Sequence, residues 1–136
     1  MEEVIMSYTL HAFFLTDNEQ NEGLVFDSIK GLFANSKDAV FSEDRNPFTK
    51  QNILRLTVDN FYTITFLFEK SNHVLEDFKE IKKEKKAKSR IRILFGTDPD
   101  NNFDHIAVMI YDFLTKLDNV LIYNVTNRKI LYETPC

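Results

Sequence analysis

Residues 53–69, ILRLTVDNFYTITFLFE, constrain this chain more than any other stretch. ILRLTV (53–58) and YTITFLFE (62–69) are rich in β-branched and aromatic side chains, which pack well on a pleated surface. Asp59-Asn60 between them suits the tight turn of a hairpin. A fold containing this hairpin is built on a sheet, and the neighbouring segments switch repeatedly between strand-like and helix-like periods.

Before the hairpin, residues 4–15 (VIMSYTLHAFFL) alternate as a strand. Residues 22–35 then place Val25, Ile29, Leu32 and Phe33 at helical spacing, with cap candidates among Asp17–Asn21. Residues 42–51, where Pro47 sits in a Ser/Asp/Asn cluster, are expected to form a long loop. After the hairpin, residues 72–88 turn helical through Val74, Leu75, Phe78 and Ile81, with Ser71 as N-cap, and RIRILF (90–95) returns to alternation. A helix from about Phe103 to Leu117 follows, and VLIYNV (120–125) with KILY (129–132) closes the chain as a hairpin. The expected fold is α+β, a mixed β-sheet with helices packed on it, in the order β-α-β-β-α-β-α-β-β. Its beginning matches the ferredoxin-like arrangement.

No repeat or composition break divides residues 1–136, and 136 residues can bury roughly 65–70% of their unfolded surface in one domain without metals or disulfides. Cys136 is the sole cysteine, so neither an internal disulfide nor a cysteine-based zinc site is expected. The N-terminal MEEVIM is acidic where a secretory signal is basic, and no run reaches the ~18 apolar residues of a membrane span. A cytoplasmic location away from membranes is the expectation.

Net charge is −4, unevenly spread. Residues 79–92, KEIKKEKKAKSRIR, carry eight basic residues against Glu80 and Glu84, which leaves the rest of the chain at −10. In the basic segment lysine dominates and no aromatic is interleaved to stack on a base, so it reads as a solvated helix face and not as a nucleic-acid stripe. The remaining surface favours cationic partners.

FGTDPDNNFDHI (95–106) sets three aspartates and two asparagines between the strand at 90–95 and the helix at 103–117. Asp98, Asp100 and Asn102 start an EF-hand register, but Phe103 stands where the turn needs Gly and Met109 where a bidentate Glu is needed. Phosphoryl transfer through the Asp-x-Asp lacks a Gly-rich phosphate cradle. His11, His73 and His105 form no pair at metal spacing, and no serine sits in a Gly-flanked elbow. Neither catalysis, a metal nor a cofactor is therefore expected. Pro99 fixing a turn, Asn101 or Asn102 capping the helix and Asp104 complementing its positive end account for part of the loop. They leave Asp98 and Asp100 facing solvent.

Residues 90–133, RIRILFGTDPDNNFDHIAVMIYDFLTKLDNVLIYNVTNRKILYE, resemble the small immunity proteins of bacterial contact-dependent growth inhibition and related polymorphic toxin systems. The likeness rests on the Gly-x-Asp-Pro-Asp-Asn-x-Phe-Asp loop, the apolar helix after it and the closing hairpin. It implies a non-enzymatic cytoplasmic antitoxin that neutralises a cognate toxin domain, for which a nuclease with a basic cleft is the natural target. The contact candidates are Asp98, Asp100 and Asp104, with Glu43 and Asp44 from the 42–51 loop, each able to accept charge-assisted hydrogen bonds. Met109 and Tyr111 are candidate apolar anchors beside them. A competing reading is a ferredoxin-like ligand-binding or regulatory module, whose apolar third helix would give a pocket or a homodimer surface.

Overall fold

The computed structural model describes residues 8–15, 21–70, 72–82, 87–98, 100, 102–117 and 119–134. The elements are β1 (Tyr8–Phe14), α1 (Glu22–Leu32), β2 (Ala39–Arg45), β3 (Asn52–Val58), β4 (Tyr62–Glu69), α2 (Asn72–Ile81), β5 (Ser89–Phe95), α3 (Asp104–Thr115), β6 (Val120–Asn124) and β7 (Lys129–Glu133). One seven-stranded sheet runs β2-β3-β4-β5-β1-β6-β7, with every neighbouring pair antiparallel. The α+β class, with helices packed on one sheet, is as the sequence implies.

The order departs from expectation in two respects. Residues 39–45 form a strand where a loop was expected over 42–51, so Glu43 and Asp44 lie on β2. This strand has one neighbour and leaves most of its side chains in water, so it lacks the apolar alternation that marks a half-buried strand. Its register with β3, Ala39 opposite Val58 through Arg45 opposite Asn52, defines it instead. Nor does the ferredoxin-like start continue into a parallel pairing, because β1 lies between β5 and β6 and is antiparallel to both.

The central hairpin forms as the sequence requires. Asp59 (φ 53°) and Asn60 (φ 66°) both take the left-handed backbone that short polar residues tolerate, and the Phe61 N–H closes the turn on the Val58 carbonyl at 3.2 Å. Asn21 caps α1 by accepting from the Leu24 N–H at 3.0 Å. The other cap candidates for α1, Asp17 to Gln20, and Ser71 for α2 lie outside the described residues, as do Pro99 and Asn101.

The sheet's period of two sorts side chains into two layers. On one face Leu10, Ala12 and Phe14 of β1 join Leu54, Leu56, Ile64, Phe66, Ile91 and Ile93, and α1 and α3 close over them with Val25, Phe26, Ile29, Ile106, Ile110 and Leu114. On the other, α2 sets Val74 and Phe78 against Phe13 and Leu121. This second cover is short. Across β3, β4 and β5 the same face carries half-buried Arg55, Thr57, Thr63, Thr65, Leu67 and Leu94.

Gly96, just past β5, donates its N–H to the Thr63 carbonyl at 3.0 Å, so closely that an added Cβ would stand 2.6 Å from that same oxygen. Backbone cannot swing aside as a side-chain tip can. Gly96→Ala is expected to cost about 1–3 kcal/mol, the usual range for overpacking, measured by urea unfolding against the unaltered protein.

Candidate functional site

Phe103 organises one end of the molecule. Its ring stacks on Tyr62 at 4.4 Å between centroids and meets Phe61 edge-on at 5.3 Å. Its N–H donates to Asp98 Oδ2 at 2.7 Å, while the Asn102 N–H donates to Asp98 Oδ1 at 2.9 Å. Asp98 therefore holds the entry to α3 from upstream, and no side chain caps from Phe103, the N-cap position itself, where Asn102 was one expected cap and Asn101, the other, lies outside the described residues. The carboxylate meets orphan N–H groups and the positive helix end together. Burial, then Asp104 and Asp98, raises the Tyr8 pKa, and burial, then Tyr8, Asp98 and Asp104, raises that of Tyr62, so both phenols stay neutral.

Asp98, Asp100 and Asp104 thus gather on the loop and first turn of α3. Across a cleft of about 440 Å3, the α1–β2 turn and the β3–β4 turn bring Asp38 and Asp59 to the same end. Phe61, at the tip of the β3–β4 turn, is 69% exposed, far more than its size warrants unless something else covers it. Asp38 and Asp59 line the cleft with Phe61 and Lys37, and Asn102 and Phe103 bring the loop that carries Asp98, Asp100 and Asp104 to its other wall, so this end is acidic.

Glu43 and Asp44 do not join this group. They sit four and five residues along β2 from Ala39, roughly 13–17 Å from the acidic end at strand rise. Both have partners on their own protein: Lys30 Nζ donates to Glu43 Oε2 at 2.7 Å, and Arg55 Nη1 to Asp44 Oδ2 at 3.1 Å. The Arg45 N–H, followed by Arg55, lowers the Asp44 pKa. Met109 and Tyr111 are half-buried and packed against the main core. The Tyr111 hydroxyl donates to the Leu131 carbonyl at 3.3 Å, and Val108, exposed nearby, lines a small apolar cleft with it.

No protein-family model, curated protein or solved structure matches this chain.

A second arrangement is one that residues 79–92, expected as a solvated helix face, and the histidines, expected to form no metal pair, did not announce. Arg90 is 6% exposed, under α2. Its Nε donates to Glu69 Oε1 and its Nη1 to Asp77 Oδ2, each at 2.7 Å, and the second Nη1 hydrogen faces His11 Nδ1 at 3.3 Å. Its guanidinium also lies 5.6 Å from the Phe13 ring centroid. One cation so buried needs this much compensation. Arginine has no lone pair to offer, so His11 Nδ1 must accept and the imidazole proton sits on Nε2. Burial first, then Arg90 and Arg92, pushes the His11 pKa down to about 3, so the ring is neutral across the physiological range. The available signal was alternation: Arg90 and Arg92 share a face of β5 with His11 and Phe13 of β1, and any helix covering that face must bring carboxylates.

The unfolded chain protonates a histidine near pH 6.5, whereas the folded protein refuses the proton down to about pH 3. Unfolding therefore takes up a proton in that window, and stability falls as pH drops through it, by at most about 1.4 kcal/mol per pH unit. His11→Gln is expected to flatten the slope between about pH 6.5 and pH 5, above the carboxylate range, in urea titrations at stepped pH. Arg90→Met is expected to cost about 3–5 kcal/mol, because it strands Glu69 half-buried without its guanidinium.

Proposed function

We propose that this chain is an immunity protein, a non-enzymatic binder that neutralises a cognate bacterial toxin domain by seating its acidic end in the toxin's basic cleft. The observation that carries the reading is the acidic end itself: Asp38 and Asp59 line one cleft with Phe61 and Phe103, and Asp98, Asp100 and Asp104 lie on the loop and first helical turn that Phe103 joins to it. Most of these residues lie on turns, displayed by a sheet and by a capped helix, so little ordering remains to be done on binding. The resemblance of residues 90–133 to immunity proteins supports the same class, and those residues are β5, the acidic loop, α3 and the closing hairpin.

The physics assigns separate tasks to the two kinds of residue. Carboxylates in water contribute chiefly to the rate of encounter with a cationic surface, and they are screened by salt. An exposed aromatic that becomes buried contributes to the lifetime of the complex. Glu43 and Asp44 are released from the contact set, since each already serves a cation of its own sheet or helix. The toxin is expected to be a nuclease, whose substrate cleft is basic of necessity.

The test is to co-purify the protein with the product of the adjacent upstream gene and to titrate that protein's activity. Inhibition is expected to be complete near one equivalent, and activity that survives an excess overturns the immunity reading. The association rate is expected to fall as ionic strength rises and to fall again in the Asp100→Asn, Asp104→Asn double variant, which leaves the Asp98 cap intact. Phe61→Ala is expected to speed dissociation, by about 2 kcal/mol if Phe61 is a central anchor. Full inhibition at salt-independent rates would retain the immunity role and reject the acidic end as its surface.

A further inference from the structure

Residues 46–51 turn the chain from β2 into β3 and carry Phe48, at 91% exposure the most open large apolar side chain among the described residues. A lone apolar residue in water needs no explanation. The loop that displays it does. Asn46 Oδ1 accepts from the Phe48 N–H at 2.9 Å and from the Thr49 N–H at 3.1 Å. The Lys50 N–H, with Lys50 at φ 64°, donates to the Asn46 carbonyl at 2.8 Å, and the Asn46 N–H donates to the Gln51 carbonyl at 2.9 Å. Pro47 restricts the backbone just before Phe48. The tip is thus fixed while its ring stands in water, so seating that ring elsewhere orders little backbone.

The tip is also cationic on an acidic chain. RNPFTKQ (45–51) holds Arg45 and Lys50 and no carboxylate, and both side chains are exposed. The Arg45 Nε donates to the Lys50 carbonyl at 3.1 Å, a neutral acceptor that leaves the guanidinium charge uncompensated. The cleft of about 440 Å3 at the other end of β3 has the opposite character. Buried Val58, Phe103 and Ile106 give it an apolar floor, and Phe61 stands beside Phe103 with most of its ring in water. Asp38 and Asp59, both exposed, line it with one lysine, Lys37. This space is ample for one phenyl ring, which would gain Phe61 and Phe103 as aromatic neighbours. Tip and cleft lie at the two ends of β3, Asn52–Val58, roughly 20 Å apart at strand rise, so no chain can fill its own cleft.

We infer that the cleft takes Phe48 of a second copy of this chain, with Arg45 and Lys50 of the incoming tip meeting Asp38 and Asp59 at its rim. Size, aromatic lining and opposite charge select this occupant together. The two surfaces in contact differ, so the pair closes only where a two-fold axis seats both tips at once, and otherwise it extends as an open chain. One tip in one cleft buries far less than the ~1,200 Å2 of a stable interface, so the association is weak and reversible. It does not rest on the toxin reading, although a seated copy covers part of the end assigned to the toxin.

The experiment is sedimentation equilibrium of the full chain from micromolar to millimolar concentration, at low and at high salt. Average mass is expected to rise with concentration, and to rise less at high salt. Phe48→Ala and the double variant Asp38→Lys, Asp59→Asn are each expected to weaken self-association about tenfold or more. Asparagine keeps the left-handed turn that position 59 requires (φ 53°). Mixing the variants restores one intact contact, because Phe48→Ala keeps its cleft and the rim variant keeps its tip. In 15N-labelled Phe48→Ala, adding the unlabelled rim variant is expected to shift residues 58–61 and 103–106 and to leave 46–51 unmoved. A mass that levels at a dimer and one that keeps climbing both support the contact, the first as a closed pair and the second as an open chain. A chain that stays monomeric to millimolar concentration, self-association unchanged in either variant, or a mixture that leaves the cleft residues unmoved would each overturn the inference. The first of these would leave Phe48 to a protein other than its own copy.

Discussion

β1 is committed on every side, and much of the architecture follows. Both of its backbone edges are consumed, by β5 and by β6, and both of its faces are covered, by α1 and α3 on one and α2 on the other. Its partners come from far along the chain: Phe14 pairs with Ser89 and with Val120. The sheet cannot close until both distant segments arrive, which is the entropic cost of non-local pairing. The same double cover forces a choice on the α2 face. Phe13 can pack with Phe78, but His11 on that face must be satisfied in place, and the arginines of β5 stand next to it.

The result is a polar layer inside an otherwise apolar fold. Arg90 ties β4, α2, β5 and β1 together through Glu69, Asp77 and His11. A layer of this kind restricts where α2 can sit more narrowly than Val74 and Phe78 would, since hydrogen bonds carry directions and apolar contacts do not. It also fixes a tautomer and a charge state at His11.

The acidic end follows the opposite logic. Apart from Asp98, its carboxylates are solvated, and electrostatics there govern encounter more than stability. One residue serves both purposes. Asp98 holds the turn that enters α3 through the Asn102 and Phe103 N–H groups, and with Asp104 it extends negative potential across Tyr8 and Tyr62. The capped helix holds Phe103 in place, and Phe103 in turn backs Phe61, the exposed aromatic of the cluster.

The residue types alone determined the strands with both faces covered, the positive-φ turn at Asp59-Asn60, the apolar stripe of α3 and the α+β class, because period and turn chemistry are local properties. They also carried Asp98, Asp100 and Asp104 as one acidic loop, since those neighbours are close in sequence as well as in space. β2 was hidden because an edge strand in water carries no burial pattern, and only its register with β3 identifies it. Asp38, Asp59 and Phe61 joined the acidic end, and Glu43 and Asp44 left it, through strand pairing that sequence separation does not encode. Arg90 and His11 looked like ordinary surface and core residues until the tertiary structure decided which face α2 would cover, because burial turns an arginine and a histidine from solvated groups into a directional network.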